Sequence, residues 1–198
     1  KLEPSLICAA LAATTSKIGL MPTLSTSFHH PYNVARRLAS IDHISNGRTG
    51  WNLVTSTDRE EAANFGQSAP LSSDERHARA REFLHVVRGL WDSWDDDAFM
   101  RDKESGHYFD RNKVHFLNHQ GEYFKVRGPL DTARPPQGQL PIITAGASAN
   151  AQELAAEVAD MVYSAFAHFD MAKDYYASVK GRLSKFGRRP EALRIMTG

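Results

Sequence analysis

Four short stretches put polar or small residues where an apolar run has just ended: Thr23 to Ser27, Asn52 to Ser56, Gly146 to Ser148, and Ser164. A strand with a purely structural task has little use for them, because Val and Ile fill a buried pleated surface better. Hydroxyls and a carboxamide can instead hold a flat polar ligand by its edges, donating or accepting hydrogen bonds. Gly146-Ala147-Ser148 adds a second capability. It opens the pattern NAQELAAEVAD, and the unpaired amides of a helix start attract an anion such as a phosphate. On sequence alone an ordinary N-cap serine explains the same residues and is the commoner case.

On its predicted helices the chain has no HxxxH pair and no two-His-one-carboxylate set among its nine histidines, so no metal site is expected. Asp95 to Asp97 read as a solvated helix exit, since three adjacent aspartates cannot all face one ion from a regular helix. His29 and His30, just before Pro31, are either substrate contacts or a helix-start turn. His107, His115 and His119 read as surface or hairpin residues. Arg127 and Arg134 flank GPLDTARPPQG, where linking nearby carboxylates is the expected role and an anionic substrate the alternative.

The elements that must position these residues follow from periodicity. Pro4 and the small apolar run Ala9 to Ala13 predict a helix that TSKIG ends. Val34, Leu38, Ile41 and Ile44 form a helical stripe between Pro31 and the stop Asn46-Gly47. TGWNLVTS is a strand, with Trp51 expected to pack against a neighbouring helix. A long helix runs from about Ser73 to Trp94, with Ser73 as N-cap of a capping box that has Arg76 where Glu is preferred. Phe83, Val86, Val87, Leu90 and Trp91 make its apolar stripe. Residues 98–140 break the rhythm with Gly, Pro, His and aromatics around a hairpin at His119-Gln120-Gly121, and read as a lid-like insertion. PIITAGAS, MVYSAF and LRIMTG are further strands separated by helices.

Bulk properties narrow the class. The 198 residues carry a formal net charge of +1, and the Lys and Arg are dispersed, so neither nucleic acid nor another polyanion is an expected partner. No window is apolar enough to cross a bilayer, which points to a chain that acts without a membrane. The single cysteine, Cys8, fits a reducing compartment and hence the cytoplasm; its apolar neighbours predict a buried, inert thiol.

About five strands alternate with about five helices, which describes parallel βα units. Such units build either an open doubly wound sheet or a closed eight-stranded barrel. The sequence has no GxGxxG turn and no P-loop, and its polar residues gather at strand exits, where a (β/α)8 TIM barrel opens its active-site mouth.

The stretches STSFHHPYNVARRLASIDHISNGRTGWNLVTS, EAANFG, REFLHVVRGLWDSWDDDA, YFKVRGPLDTARPPQGQLPIITAGAS and ADMVYSA resemble the bacterial-luciferase-like flavin monooxygenases. The subgroup resembled is that of nitrilotriacetate monooxygenase component A, dibenzothiophene-sulfone monooxygenase and pristinamycin synthase. The match covers nearly the whole chain. It implies a TIM barrel that uses FMN in reduced form, delivered by a separate NAD(P)H:FMN reductase, to insert one oxygen atom of O2 into a small organic substrate. The protein would shelter a flavin hydroperoxide from water, and a homo-oligomer is expected. Thr23 matches a flavin-contacting position, against the plain alternative of a β-branched strand residue. Asn52 would bond the pyrimidine side of the ring, and Val54-Thr55 would line it. Ser148, with Ala147, matches a flavin-phosphate position. The family often carries His and, four residues on, Tyr where this chain has Ser73 and His77. A histidine in place of that tyrosine predicts FMN affinity that is weaker and pH-dependent near neutrality, the alternative being an exposed helix residue.

The resemblance also makes residues 1–198 a single partial barrel domain, a middle section lacking the first two strands and the last. An acidic flavin contact after the family's second strand then falls outside the sequence. Two alternatives stand beside the monooxygenase: a deazaflavin-dependent oxidoreductase of the same fold, and a flavin-binding barrel fragment without turnover, whose open edges would favour association.

Overall fold

A computed structural model describes residues 2–197, with the side chain of residue 197 left out. Helix α1 (Pro4–Thr14) starts at Glu3, whose carboxylate accepts from the Leu6 amide at 2.8 Å, and Pro4 stands where no N–H is needed. Strand β1 (Thr23–Ser25) and helix α2 (Pro31–Ser45) follow. Asn46, at φ 55°, and Gly47, at φ 79°, end α2 in the left-handed conformation that stops a helix. Strand β2 (Trp51–Val54), the short helix α3 (Arg59–Ala63) and the long helix α4 (Ser73–Trp91) come next. The 98–140 stretch contains a two-stranded hairpin, β3 (His119–Gln120) and β4 (Lys125–Val126). The chain closes with β5 (Ile142–Ala145), α5 (Ala149–Val158), β6 (Met161–Ser164), α6 (Phe169–Arg182) and β7 (Arg194–Thr197).

The five main strands are all parallel and lie in the order β1-β2-β5-β6-β7. Apart from the hairpin this is simple chain order. A doubly wound sheet reverses direction at a switch point, whereas a barrel adds each strand on the same side. The sheet is therefore a sector of a (β/α) barrel.

Register fixes which side chains face inward. Thr23 pairs with Asn52, Asn52 with Ile143, Ile143 with Met161, and Met161 with Arg194. With a period of two, one face carries these residues and, one step further on, Ser25, Val54, Ala145, Tyr163 and Met196. The other face carries Leu24, Trp51, Leu53 and Ile142, which form one core with Val34, Leu38, Phe83, Val87 and Trp91 of α2 and α4. Val162 joins Ala155, Tyr175 and Val179 in a second core under α5 and α6. All three tryptophans bury the ring and satisfy the indole N–H on a carbonyl: Trp51 on Leu24, Trp91 on Ala35 and Trp94 on Leu130.

Several local expectations shift. The cap of α4 is Ser72, not Ser73: Glu75 accepts from the Ser72 amide and the Ser72 hydroxyl accepts from the Glu75 amide, a full capping box one residue earlier. The helix ends at Trp91 because Trp94 turns out to bridge Val114. Cys8 is half-buried instead of buried, and burial raises its thiol pKa, with Glu3 adding to the effect. Ile44 is 53% exposed and leaves the α2 stripe.

Candidate active site

On the inner face Thr23 and Asn52 meet, although neither is a strand exit as the sequence suggests: Thr23 opens β1 and Asn52 is the second residue of β2, level with Ile143 of β5. Asn52 Nδ2 donates to Thr23 Oγ1 at 2.9 Å, so the carboxamide oxygen and the threonine hydroxyl proton face the open side. Thr23 is exposed, and Asn52, Val54 and Thr55 are half-buried. Next to them the exits of β1 and β2 are tied together. The Ser56 hydroxyl meets the Ser25 hydroxyl at 2.7 Å, and the Thr26 amide donates to the Val54 carbonyl at 2.9 Å. Further out, Phe28 and Phe65 stack with centroids 4.6 Å apart and planes 3° from parallel. Two loops that leave adjacent strands are thus pinned at base and tip.

Beyond β5 the chain turns at Gly146, whose φ of 130° and close approach exclude a side chain: a Cβ there would lie 2.9 Å from the Ala151 methyl. Ala147 and Ser148 are exposed, and the Ser148 hydroxyl caps α5 by accepting from the Ala151 amide at 3.2 Å. The amino end of α4 lies against this turn, because Asn150 Nδ2 donates to Ser73 Oγ at 3.0 Å and to Asp74 Oδ1 at 2.6 Å. Two helix starts, each capped by a serine, so meet on one rim. A concavity of about 230 Å³ opens beside them, bounded by Gly146, Ala147, Tyr163, Ser164, Phe166 and Tyr175. Tyr175 steadies it by donating to the Gly146 carbonyl at 3.1 Å.

His77 is neither exposed nor poised to titrate near neutrality. Only 5% of it is accessible, and Nδ1–H donates to the Ser73 carbonyl at 2.7 Å. Burial is the main cause that pushes its pKa below the ordinary histidine value. The neutral ring therefore offers Nε2 as an acceptor, and it donates to no phosphate unless protonated.

His30 caps α2, with Nδ1 accepting from the Tyr32 amide at 3.3 Å, and His29 Nδ1 lies 3.0 Å from the Ser25 carbonyl. The geometry gives His30 the helix-start role. Arg79 of α4 braces the same loop, donating to the Thr26 carbonyl at 3.1 Å while its guanidinium lies over the Phe124 ring at 4.4 Å. Arg134 pairs with Asp92 at 2.8 Å and Asp96 at 3.3 Å, and Arg127 lies over Phe116. Asp95 meets His115 at 2.8 Å, and Asp97 meets Lys113 at 2.5 Å. No group of three or more His, Cys, Asp or Glu poised for a metal ion occurs among the described residues.

Sequence reasoning missed Asn150, the Ser25–Ser56 pair, Phe28–Phe65 and Arg79. Only the two serines carried a signal, as polar residues at strand exits. The others act through contacts between elements far apart in the chain.

Comparison with known proteins agrees with this architecture. The family model described as luciferase-like monooxygenase matches residues 1–198. N-acetyl-S-(2-succino)cysteine monooxygenase of Bacillus subtilis (strain 168) is 50% identical over 198 residues, all of this chain and 45% of that protein. Nitrilotriacetate monooxygenase component A of Aminobacter aminovorans is 49% identical over 197 residues, 100% of this chain and 44% of that protein. A crystal structure of a riboflavin lyase, with modified FMN and its substrate riboflavin, superposes with a TM-score of 0.94 at 34% identity, covering 100% of this chain and 44% of that one. The chain spans less than half the length of these relatives. Its inward-facing polar exits, its sequential parallel strands and a match along its whole length place it together with them: the chain belongs to the luciferase-like monooxygenase family.

Proposed function

We propose that this chain forms the flavin-holding sector of a two-component monooxygenase that uses reduced FMN and O2 to place one oxygen atom in a small organic substrate. The observation that carries it is that Thr23 and Asn52 bond each other on the inner face of the sheet, upstream of the strand exits, while the neighbouring β5 leads at its exit to the Ser73–Ser148 rim. β1 and β5 are two strand spacings apart, ~10 Å, a separation that one flavin bridges. The residues fit that cofactor. Gly146 leaves room for close backbone approach, and the starts of α4 and α5 attract a phosphate dianion. Thr23 and Asn52 offer a donor and an acceptor to the polar edge of the ring, while Val54 lines it. When bound, the reduced flavin supplies the reaction with O2.

This chain's own residues orient the ring, anchor its phosphate and keep water away. The 98–140 segment contributes to the last task as cover, anchored on α4 through Phe124, over which Arg79 lies. Reduced flavin comes from a separate NAD(P)H:FMN reductase, in line with a relative named as a component A, and the working form is a homo-oligomer in the cytoplasm.

The test is stopped-flow mixing of the full-length protein and reduced FMN with oxygenated buffer. A shielded site delays the return of oxidised-flavin absorbance relative to free reduced FMN. Reoxidation at the free rate, together with tight binding of a deazaflavin, would establish hydride transfer on the same fold instead.

A further inference from the structure

We infer that Asn150 is a positioning residue that sets the preference for a phosphorylated flavin by locking the first turns of α4 and α5 together. This rests on the phosphate anchor proposed above.

Asn150 is the second residue of α5, a place where its helix propensity is poor and its side chain has no local task, because Ser148 already caps the helix. It reaches across 77 positions of sequence instead. One amide nitrogen spans two acceptors on the first turn of α4, Ser73 Oγ and Asp74 Oδ1. The Asp74 carboxylate decides the orientation of the carboxamide, since only the NH2 group can face it. Other ties between these helices lie further down: Arg81 to Glu157 at 2.5 Å and Arg88 to the Val158 carbonyl at 3.2 Å. Asn150 is the tie at the rim.

Its removal has two local consequences. The helix starts lose the bond that holds Ser73 beside the Gly146–Ser148 turn, so the two positive helix ends no longer lie together to receive one anion. The Asp74 carboxylate also loses a donor and is free to swing towards the rim, where it repels a dianion. Neither effect touches Thr23 or Asn52, so a flavin without a phosphate should not register the change.

Riboflavin is that flavin, and comparing it with FMN separates positioning from general structural support. The experiment titrates full-length protein anaerobically with reduced FMN and reduced riboflavin, in the wild type and in Asn150→Ala and Asn150→Asp. We expect the wild type to prefer FMN. Asn150→Ala should cut that preference by about tenfold, the scale of one well-placed charge-assisted interaction, and Asn150→Asp by more, with riboflavin affinity within about twofold throughout. A wild-type preference that survives both substitutions overturns the inference and leaves the phosphate anchor standing. Parallel loss of both ligands also overturns it, because it marks a merely structural role. A wild type that does not distinguish the two flavins overturns the anchor itself and the inference with it.

Discussion

His77 sits one helical turn below Ser73, and its burial has a consequence in pH. With its pKa pushed below 6.5, the folded protein binds fewer protons there than the unfolded chain does. The stability this provides is complete above pH 6.5 and is lost as pH falls below that value. His30 shares the direction, through burial and then the Arg79 charge, so the effect must be read as a difference. Between about pH 7.5 and 5.5 the melting temperature of the wild type should fall more steeply than that of His77→Gln, which keeps a donor for the Ser73 carbonyl but cannot titrate. Equal slopes would remove His77 from the account. Reduced-FMN affinity should also stay level from about pH 6.5 to 8, contrary to a histidine that changes charge near neutrality. The burial was legible: 77, 80, 84, 87 and 91 share one helical face, and all five residues are buried. Asn150 was not, because nothing local to it marks a contact across the fold.

Among the elements, the hairpin of β3 and β4 shows how a stretch that reads as loop becomes fixed. Glu82 of α4 accepts from His119 Nε2 at 3.0 Å and from the amides of Tyr123 and Phe124, the latter at 2.8 Å. Burial opposes ionisation of this carboxylate, but the His119 bond and the two amide bonds outweigh it and hold its pKa below the usual glutamate value. Its contribution is therefore present above pH 4.5 and lost as pH falls through the lowered pKa. A side chain at Gly121 would run into the same carboxylate. Glu82→Ala leaves three donors without their acceptor and should cost about 2–4 kcal/mol in urea unfolding. Hydrogen exchange should speed up first at residues 119–126; protection unchanged there would show that the hairpin holds itself. A hairpin around His119-Gln120-Gly121 was readable from Gly and its flanks, although His119 and Gln120 are strand and the turn spans Gly121 to Phe124, and the ends of α2 were readable from Pro31 and Asn46-Gly47. The cap of α4 was misplaced because two serines adjoin, although Ser72-Ser73-Asp74-Glu75 satisfies the capping-box spacing and the frame one residue later does not. What the hairpin packs on was invisible, since its anchor lies 37 to 42 residues away.

At the scale of the molecule, the pleat of one sheet divides an apolar helix-side face from an inner face that carries Thr23 and Asn52. Alternation of strands and helices was enough to read parallel βα units, and polar strand exits favoured a barrel over a doubly wound sheet. Sequential strand order and the register across β1, β2 and β5 came only from the fold, because pairing partners are not written in any one segment. That register gives two adjacent residues opposite tasks. Trp51 is fully buried on the helix side, with Phe83 at 5.7 Å and its indole bonded to Leu24. Asn52 faces inward and holds Thr23. Trp51→Ala should therefore cost about 3–5 kcal/mol by opening the α2–α4 core. Asn52→Ala should cost no more than about 1.5 kcal/mol, the worth of one hydrogen bond, yet weaken reduced-flavin binding severalfold. Urea midpoints and anaerobic flavin titrations on both variants of the full-length protein measure the contrast. If Asn52→Ala destabilises as strongly as Trp51→Ala while flavin affinity is unchanged, the inward face is a second core, and the polar strand exits serve packing instead of a ligand.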